Sequence, residues 1–427
     1  MRTAIVWLRR ELRVHDNPAL TAAVREFDRV VPVFVLDERL IDGRFPSRSR
    51  AWFLFESLRE LRESLRARGG DLLLRPGPPE RALPALAAQT GAEAVLHTAD
   101  VSPFAVARDR RVEAALDVEL RRCEGVFVTD VHAVERPYGV FSPFWRAWRA
   151  LPRREVHGAP PAARLPDGLG AGDIPHARPE ASDPPPPGER AGRARMHAFL
   201  RDDLQAYADR HDRLAGGTSG LSPYLHFGCV SARELEHRAS ACGAFTRQLA
   251  WRDFYAHVLL RNPANTRRAF KTEMDALEWE HDDDAFAAWA EGRTGYPVVD
   301  AGMRQLLATG WMHNRARLLV ASFLTKDLHI DWRRGEAHFM GHLLCGDVAQ
   351  NNGNWQWVSS VGVDPAPYFK RLYNPELQQR RHDPDGAYVR RWVPEAGTPA
   401  YPPPIVDHRR ERARAIERYR AVLSPPQ

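Results

Sequence analysis

The sequence opens with the apolar run Thr3-Ala-Ile-Val-Trp7, which is followed by the polar turn Arg9-Arg-Glu-Leu-Arg-Val-His-Asp-Asn-Pro18. A short run of apolar and β-branched residues that ends in charge is typical of a buried strand, and it is too short for a signal peptide. The turn has no Gly-x-Gly-x-x-Gly pattern, with which Rossmann domains bind a dinucleotide. We therefore predict a first strand here, with no dinucleotide bound at its end in the Rossmann manner.

Further apolar runs follow in the first third of the sequence, and amphipathic stretches separate them. This alternation predicts a parallel sheet with helices on both faces, which is a Rossmann-like α/β domain over residues 1–131. The predicted strands are Thr3–Trp7, Arg29–Leu36, Asp71–Arg75, Ala92–His97 and Gly125–Asp130, and the predicted helices are Ser47–Arg68, Pro79–Gln89 and Phe104–Leu120.

The composition changes after this domain. From about Leu151 to Gly188 the chain is rich in proline, alanine, glycine and aspartate, which predicts an inter-domain linker over residues 132–190. Helical periodicity dominates from residue 191 to residue 427, and no strand pattern stands out there. The second domain is therefore expected to be all-helical.

The overall composition restricts the class of protein. The 427 residues carry a net charge of +6, which favours an anionic partner, although the 58 arginines against 3 lysines would also follow from a GC-rich genome. No apolar run is long enough to span a membrane. The four cysteines lack metal or disulfide spacing, so we expect reduced thiols and a cytoplasmic location.

Seven of the twelve tryptophans lie between Trp251 and Trp357, which could mean only that they fill a helical core. Near the end of this region, Asn351-Asn-Gly-Asn354 is followed by Trp355 and Trp357. So many amides beside indoles predict a polar loop that closes over a flat aromatic ligand. The alternative for this segment is a capped helix junction.

Several segments, in matching order and spacing, resemble the DNA photolyase and cryptochrome family, and most closely its class I cyclobutane pyrimidine dimer photolyases. The resemblance runs from the first strand to about Glu395. The segments that carry it are Gly216–Leu225, Gln248–Tyr255, Gly292–Arg304, Thr309–Arg317, Ile330–Arg333 and Cys345–Trp357.

The resemblance implies an enzyme, a deoxyribodipyrimidine photo-lyase, whose helical domain binds FAD. Excited reduced FAD would donate an electron to a pyrimidine dimer that is flipped out of DNA, the cyclobutane ring would split, and the electron would return. The partner is then DNA containing pyrimidine dimers. We expect a monomer without membrane association.

The same resemblance assigns cofactor positions. Tyr207 corresponds to a tyrosine on the FAD tail, and Thr218–Ser222 would cradle the phosphates, since small residues with hydroxyls and free N–H groups suit a pyrophosphate. Asn351 would lie beside flavin N5, where asparagine favours repair over signalling. The full cofactor set is Tyr207, Thr218, Ser219, Gly220, Leu221, Ser222, Phe245, Gln248, Arg252, Asn314, Arg317, Cys345, Gly346, Asp347 and Asn351.

The resemblance also assigns electron-transfer and DNA positions. Trp355, Trp332 and Trp279 match the chain of tryptophans that carries electrons between the flavin and the surface. Trp251 matches the indole that stacks on the flipped dimer, and Trp357 matches a second wall of that pocket. The full set of substrate and DNA positions is His211, Gln248, Trp251, Asn314, Arg315, Leu318, Trp357 and Gln378.

Three residues depart from the family pattern. Gln248 replaces a glutamate that often contacts the dimer, and Leu318 replaces a frequent methionine. Cys345 replaces the aspartate that usually pairs with the arginine at Arg317, so that ion pair should be absent. Asn314 stands where six-four photolyases have a histidine, which argues against that substrate.

A second, light-harvesting chromophore is a separate question. The segment Asp100–Asp109 lacks the Asn-Glu pair of folate-binding relatives and is closer to deazaflavin-type enzymes, with Arg50 and Asp100 as candidate contacts. FMN, folate and an empty site remain alternatives to a deazaflavin.

Two other functions stay open at this point. A cryptochrome-like photoreceptor would keep the FAD and the tryptophans, and many such proteins carry a long signalling tail that we do not expect after Gln427. An electron-transfer flavoprotein without a light function would not need pocket walls at Trp251 and Trp357. Fold alone does not separate these functions.

Overall fold

The structure, a computed structural model, describes residues 1–423, and a parallel sheet forms its first part. The strand order is β3-β2-β1-β4-β5, and all neighbouring pairs are parallel. The strands are β1 (Thr3–Leu8), β2 (Arg29–Leu36), β3 (Leu73–Pro76), β4 (Ala94–Thr98) and β5 (Glu119–Cys123).

The central strand of this sheet is β1, which pairs with β2 on one side and with β4 on the other. All six of its residues are buried, as expected for a strand with helices on both faces. The α/β prediction is confirmed, and the first four strands lie within two residues of their predicted bounds. The strand order reverses between β1 and β4, which determines where a ligand can bind.

The fifth strand was predicted in the wrong place. Gly125–Asp130 is a loop, and the strand is β5, Glu119–Cys123, which lies at the end of the segment predicted as the helix Phe104–Leu120. As an edge strand, β5 is only partly buried and charged, so it lacks the apolar run that indicates a central strand. The N–H groups of Val128 and Thr129 instead donate to the carboxylate of Asp253, at 3.4 and 3.1 Å.

Helices make up the rest of the regular structure, and the all-helical prediction for the second domain is confirmed. Among residues 124–423, the only extended pairing is an isolated bridge between Glu280 and Ile330. The helices are α1 (Pro18–Glu26), α2 (Glu38–Ile41), α3 (Arg48–Arg66), α4 (Pro79–Thr90), α5 (Pro103–Ala115), α6 (Phe141–Ala150), α7 (Glu189–Ala198), α8 (Tyr207–Arg210), α9 (Ser222–Phe227), α10 (Ala232–Arg238), α11 (Gly243–Arg261), α12 (Asp283–Glu291), α13 (Pro297–Thr309), α14 (Asn314–Lys326), α15 (Trp332–His342), α16 (Val348–Val358), α17 (Pro375–His382), α18 (Ala387–Trp392) and α19 (His408–Leu423). In the described part of the chain, none of these helices is both long enough and apolar enough to cross a membrane.

The segment predicted as a linker contains a buried helix, α6. Phe144 and Trp148 of this helix are buried, and the indole N–H of Trp148 donates to Asp253 of α11 at 2.9 Å. The following stretch has no helix or strand, but it is tied to the sheet: the N–H of Val30 donates to the carbonyl of Arg164 at 2.8 Å. The segment is therefore packed between the domains rather than extended as a spacer.

Candidate active site

A cavity of about 500 Å³ opens at the carboxyl edge of the sheet, beside the point where the strand order reverses. Arg50 and Asp100, the candidate antenna contacts, both line this cavity. Arg50 donates to the carbonyl oxygen of Phe45 at 2.5 Å and to that of Leu343 at 3.2 Å. The remaining wall is largely apolar, which suits a flat aromatic ligand.

A buried ion pair connects the two domains next to this cavity. Arg10, just beyond β1, contacts the carboxylate of Asp100 at 3.1 Å and also that of Asp347. Burial raises the pKa of Asp347, but the positive charge of Arg10 outweighs it and holds this pKa well below its usual range. The carboxylate also caps α16 by accepting from the N–H of Gln350 at 3.0 Å. Asp347, assigned to the cofactor, is thus held as an anion at the domain interface.

The predicted phosphate segment has the form of an anion cradle. Arg195 donates to the carbonyl oxygens of Thr218 and Ser219, at 2.9 and 2.7 Å. Among residues 1–423, no acceptor takes the backbone N–H of Thr218, Ser219 or Gly220, and Gly220 bends the chain at a φ of +64°. Three free N–H donors at a bend fit the pyrophosphate of FAD. Ser222, at the end of the cradle, accepts from the indole of Trp311 at 3.2 Å.

Further cofactor positions lie on helices that hydrogen-bond to one another. Arg252 of α11 is oriented by the carbonyl oxygens of Val126 and Leu225, at 2.8 and 3.3 Å. The side chain of Gln350 on α16 donates to the carbonyl oxygen of Arg252 at 2.8 Å. The buried ring of Tyr207 lies 5.1 Å from the ring of Phe245 at the start of α11. The structure therefore brings the cradle, α11 and α16 into one assembly.

The prediction of a polar loop at Asn351–Asn354 is wrong, because these residues lie inside α16. Asn352 and Gln356 both donate to the carbonyl oxygen of Asn265, at 2.9 and 3.0 Å, so the amides are satisfied by a neighbouring segment. Gly353 allows α16 to cross α11 closely, since a Cβ there would lie 2.2 Å from the ring of Tyr255. The alternative, a capped helix junction, describes this segment better, because Asp347 caps α16 just before these residues.

Asn351 and Trp355 are one helical turn apart and share a face of α16. The side-chain amide of Asn351 donates to the carbonyl oxygen of Glu336 at 3.0 Å and is buried. Trp355 is also buried, and its indole N–H has no acceptor among residues 1–423. Asn351, whose amide is assigned to flavin N5, and Trp355, the tryptophan assigned to the first electron-transfer step, therefore lie side by side.

Of the three tryptophans assigned to electron transfer, two are buried and one is partly exposed. The ring of Trp355 packs against α15, where a Cβ at Gly335 would lie 2.2 Å from it. Trp332 is the buried first residue of α15. Trp279, which is only half-buried, precedes Glu280, whose N–H donates to the carbonyl of His329 at 2.8 Å. An electron path through these three residues stays a prediction.

The two predicted pocket walls are partly exposed indoles, each backed by another side chain. Phe141 of α6 stacks on Trp251 with ring centres 3.8 Å apart and planes 5° apart. Gln248, three residues earlier on α11, is exposed. The guanidinium of Arg371 lies 3.5 Å from the ring centre of Trp357. One face of each indole is therefore covered by the protein.

The other DNA positions lie at the start of α14 and on its neighbours. Asn314 is the exposed first residue of α14, and Leu318, one turn later, is buried. Arg315 forms a two-pronged ion pair with Asp212, next to His211. The amide oxygen of Gln378 on α17 accepts from the ring Nε2–H of His382 at 3.2 Å.

No ion pair involves Arg317 among the described residues, in line with the replacement of aspartate by Cys345. Arg317 donates to the sulfur of Cys345 at 3.3 Å and to the carbonyl oxygen of Met312 at 2.9 Å. The next residue, Gly346, lies against Arg50, since a Cβ there would be 2.5 Å from its guanidinium. Cys345 and Gly346 thus separate the cofactor position Arg317 from the cavity at the sheet edge.

Sequence reasoning missed four residues that shape the site: Arg10, Phe141, Asp212 and Glu336. Only Phe141 has a local signal, because the apolar residues of Phe141–Trp148 recur with helical spacing inside the presumed linker. Arg10 and Asp212 act through partners that are far away in the chain, and Glu336 acts through Asn352 on the next helix.

Glu336 is a buried carboxyl group behind the amides of α16. It accepts from the side chain of Asn352 at 3.0 Å, and its side chain is almost inaccessible to solvent. Burial raises the pKa of Glu336 to about 7, and the bond from Asn352 opposes this only in part. When folding raises the pKa of an acid, the full stability of the fold is present below the pKa of the unfolded state. That stability falls as the pH rises from the unfolded pKa to the folded pKa, because the folded protein then holds a proton that the unfolded chain releases.

Glu336→Gln should therefore remove a pH-dependent loss of stability, because glutamine still accepts from Asn352 but does not ionise. The unfolding free energy of the variant relative to the parent should rise by roughly 2–3 kcal/mol between pH 5 and pH 8. Denaturant unfolding at both pH values measures it, with the exposed Glu113→Gln as control. Equal pH profiles for parent and variant would contradict this assignment.

Comparison with known proteins identifies the family of both domains. The family model for the FAD binding domain of DNA photolyase matches residues 245–399, and the model for DNA photolyase matches residues 4–166. A deoxyribodipyrimidine photo-lyase of Streptomyces griseus is 42% identical, over 99% of this chain and 100% of that protein. Another, of Thermus thermophilus, is 41% identical, over 97% and 98%.

Solved structures extend the similarity to the whole fold. A class III photolyase of Agrobacterium tumefaciens has a TM-score of 0.92 at 34% identity, covering 99% of this chain and 98% of that one. A Synechocystis cryptochrome has a TM-score of 0.89 at 27% identity, covering 98% and 99%. With the α/β domain, the helical FAD-binding domain and near-complete coverage in agreement, the chain belongs to the DNA photolyase family.

Proposed function

We propose that this protein repairs cyclobutane pyrimidine dimers in DNA in blue light, by electron transfer from reduced FAD. The observation that carries the proposal is the partly exposed indole of Trp251, which is backed by Phe141 and lies one turn from the exposed amide of Gln248. A flat apolar wall beside a hydrogen-bonding group is what a base dimer needs once it has left the DNA stack. The name of the Streptomyces relative agrees with this substrate.

The residues of the chain would bind and orient the reacting groups. Thr218, Ser219 and Gly220 would hold the pyrophosphate through their free N–H groups. When bound, the flavin supplies the light-excited electron donor. Arg317, with no carboxylate partner among residues 1–423, would direct its positive charge toward the flavin ring and favour the reduced anion. Trp251 and Gln248 would hold the dimer.

The class of photolyase stays a prediction. The sequence motifs favour class I, whereas the solved Agrobacterium photolyase belongs to class III. A cryptochrome-like photoreceptor is the second candidate, and the similarity to the Synechocystis cryptochrome favours it. That function would need the FAD and the tryptophans, but not binding of damaged DNA.

We also propose that the cavity at the sheet edge holds a second chromophore. Its volume of about 500 Å³, its apolar wall and its place beside Asp347 suit an aromatic ligand near the flavin. A photolyase of Sulfolobus tokodaii, 32% identical, contains two FAD molecules. The Asp100–Asp109 segment favours a deazaflavin for this chain.

The decisive experiment is repair of an oligonucleotide that contains one thymine dimer, in blue light and in darkness. We expect one FAD per chain after denaturation, and loss of the dimer only in light. Repair requires both the flavin and the dimer pocket, so it tests them together.

Two results would count against the proposal. A folded protein that never takes up flavin would contradict the FAD site and the repair function with it. A flavin-loaded protein that binds damaged and intact DNA equally, and repairs neither, would favour the photoreceptor.

A further inference from the structure

The ion pair between Arg315 and Asp212 lies where DNA is expected to bind. Arg315 donates from Nε to one carboxylate oxygen at 3.2 Å and from Nη2 to the other at 2.5 Å. The side chains are 19% and 35% exposed, so the pair is accessible at the surface. Two parallel bonds of this kind fix the plane of the guanidinium as well as its position.

Asp212 is placed by the elements that carry the other DNA positions. It directly follows His211, and the N–H of Leu214 in the same loop donates to the carbonyl oxygen of His382 at 3.0 Å. His382 in turn hydrogen-bonds to Gln378 at 3.2 Å. The carboxylate therefore lies where the His211 loop, α14 and α17 meet.

Asp212 is held in its charged form. Burial acts to raise the pKa of Asp212, but the hydrogen bonds and charge of Arg315 outweigh it and lower this pKa below its usual value. A carboxylate next to a phosphate-binding arginine cancels most of the positive charge that a phosphate would feel before it makes contact. It also occupies two of the five N–H donors of the guanidinium, so a phosphate can reach only the remaining edge.

We propose that Asp212 is a specificity-determining residue that restrains Arg315, so that this arginine contributes little to binding of intact DNA. A phosphate placed by the bent backbone at a flipped dimer can meet the free edge of the guanidinium. A phosphate of straight duplex DNA meets a nearly neutral pair. This inference rests on the proposed repair function, because it assigns Asp212 a part in choosing damaged over intact DNA.

The test is the affinity of Asp212→Asn for intact DNA and for DNA with one thymine dimer, measured over a range of salt concentrations. The variant should bind intact DNA about three- to tenfold more tightly at low salt, because the charge of Arg315 is no longer neutralised by a paired carboxylate. The slope of log affinity against log salt should steepen by up to about 0.9, the value for one further phosphate contact. Binding to dimer DNA should tighten less, so the preference for damage falls.

Two further variants distinguish restraint of Arg315 by Asp212 from a general effect of the net charge of the protein. Glu119→Gln changes the net charge equally, by removing one of the two exposed carboxylates that pair with Arg121 on β5, and should leave the affinities nearly unchanged. With Arg315→Gln present, Asp212→Asn should have no more effect than Glu119→Gln. If it strengthens binding equally in both backgrounds, Asp212 is only a repelling charge, and the inference is overturned.

The remaining outcomes are equally distinct. Weaker binding of dimer DNA by Asp212→Asn would overturn the inference, because the pair would then preorganise Arg315 for DNA. A parent that repairs dimers while Asp212→Asn behaves like Glu119→Gln overturns the inference and leaves the proposed function standing. A parent with no preference for dimer DNA overturns both.

Discussion

Trp355→Phe is expected to abolish the light-driven reduction of oxidised FAD in the presence of an external reductant. Trp355 is the buried tryptophan that shares a helix face with Asn351, so an electron that enters from the protein would pass through its indole. Phenylalanine fills most of the same space but is far harder to oxidise. The measurement is bleaching of the oxidised flavin absorbance under blue light.

A neighbouring tryptophan offers a matched control. Trp289 is equally buried, its ring lies 6.2 Å from that of Trp355, and its indole N–H donates to the carbonyl oxygen of Val320 at 2.9 Å. In Trp289→Phe the bound FAD should be photoreduced at the parent rate. In Trp332→Phe its photoreduction should be slower than in the parent. Loss in Trp289→Phe but not in Trp332→Phe would mean that the path runs through α12 instead.

Repair distinguishes a lost electron path from a damaged site. Trp355→Phe that has been reduced chemically should still repair dimers, since that reaction returns its electron. Photoreduction at the parent rate in Trp355→Phe would contradict the assigned chain. Loss of bound FAD would instead make Trp355 a structural residue of the site.

Trp251→Ala is expected to weaken binding of dimer DNA roughly ten- to hundredfold. Stacking of a base on an aromatic side chain contributes about 1–3 kcal/mol, and alanine removes the whole surface. FAD content should stay near normal, because the proposed role of this indole is on the substrate side. Binding to intact DNA should change much less, and titration of labelled duplexes with and without a dimer measures both.

The alternative for Trp251 is a core residue, since Phe141 stacks closely on it. In that case the alanine variant should lose stability and flavin together, with no selective effect on dimer binding. Trp251→Phe separates the two roles, because it keeps an aromatic face for the base. Trp52→Ala, which removes a half-buried tryptophan from α3, controls for the general cost of such a change.

The sequence by itself determined four of the five strands and the helical character of the second domain. The strand at Arg29–Leu36 was predicted with its observed bounds, because an uninterrupted apolar run buried on both faces leaves a local pattern. The helix predicted over Pro79–Gln89 likewise ends only one residue later in the structure, at Thr90. The family and its FAD-binding domain were also accessible, because the motifs that carry them are continuous stretches of sequence.

Tertiary structure decided the segments whose polar groups find partners far away in the chain. The run Asn351–Asn354 reads as a loop, yet it is helical because its amides and its glycine match the backbone of Asn265 and the ring of Tyr255. The segment Gly125–Asp130 reads as a strand, yet its N–H groups are taken by Asp253.

The same holds for the details of the site. The pairing of Arg315 with Asp212, of Arg10 with Asp347 and of Trp251 with Phe141 joins positions about one hundred or more residues apart. Local pattern shows which backbone a segment favours, because periodicity records only the faces that are buried. It does not show which side chain lies opposite, because a hydrogen bond or ion pair depends on distances that exist only once the domains have packed.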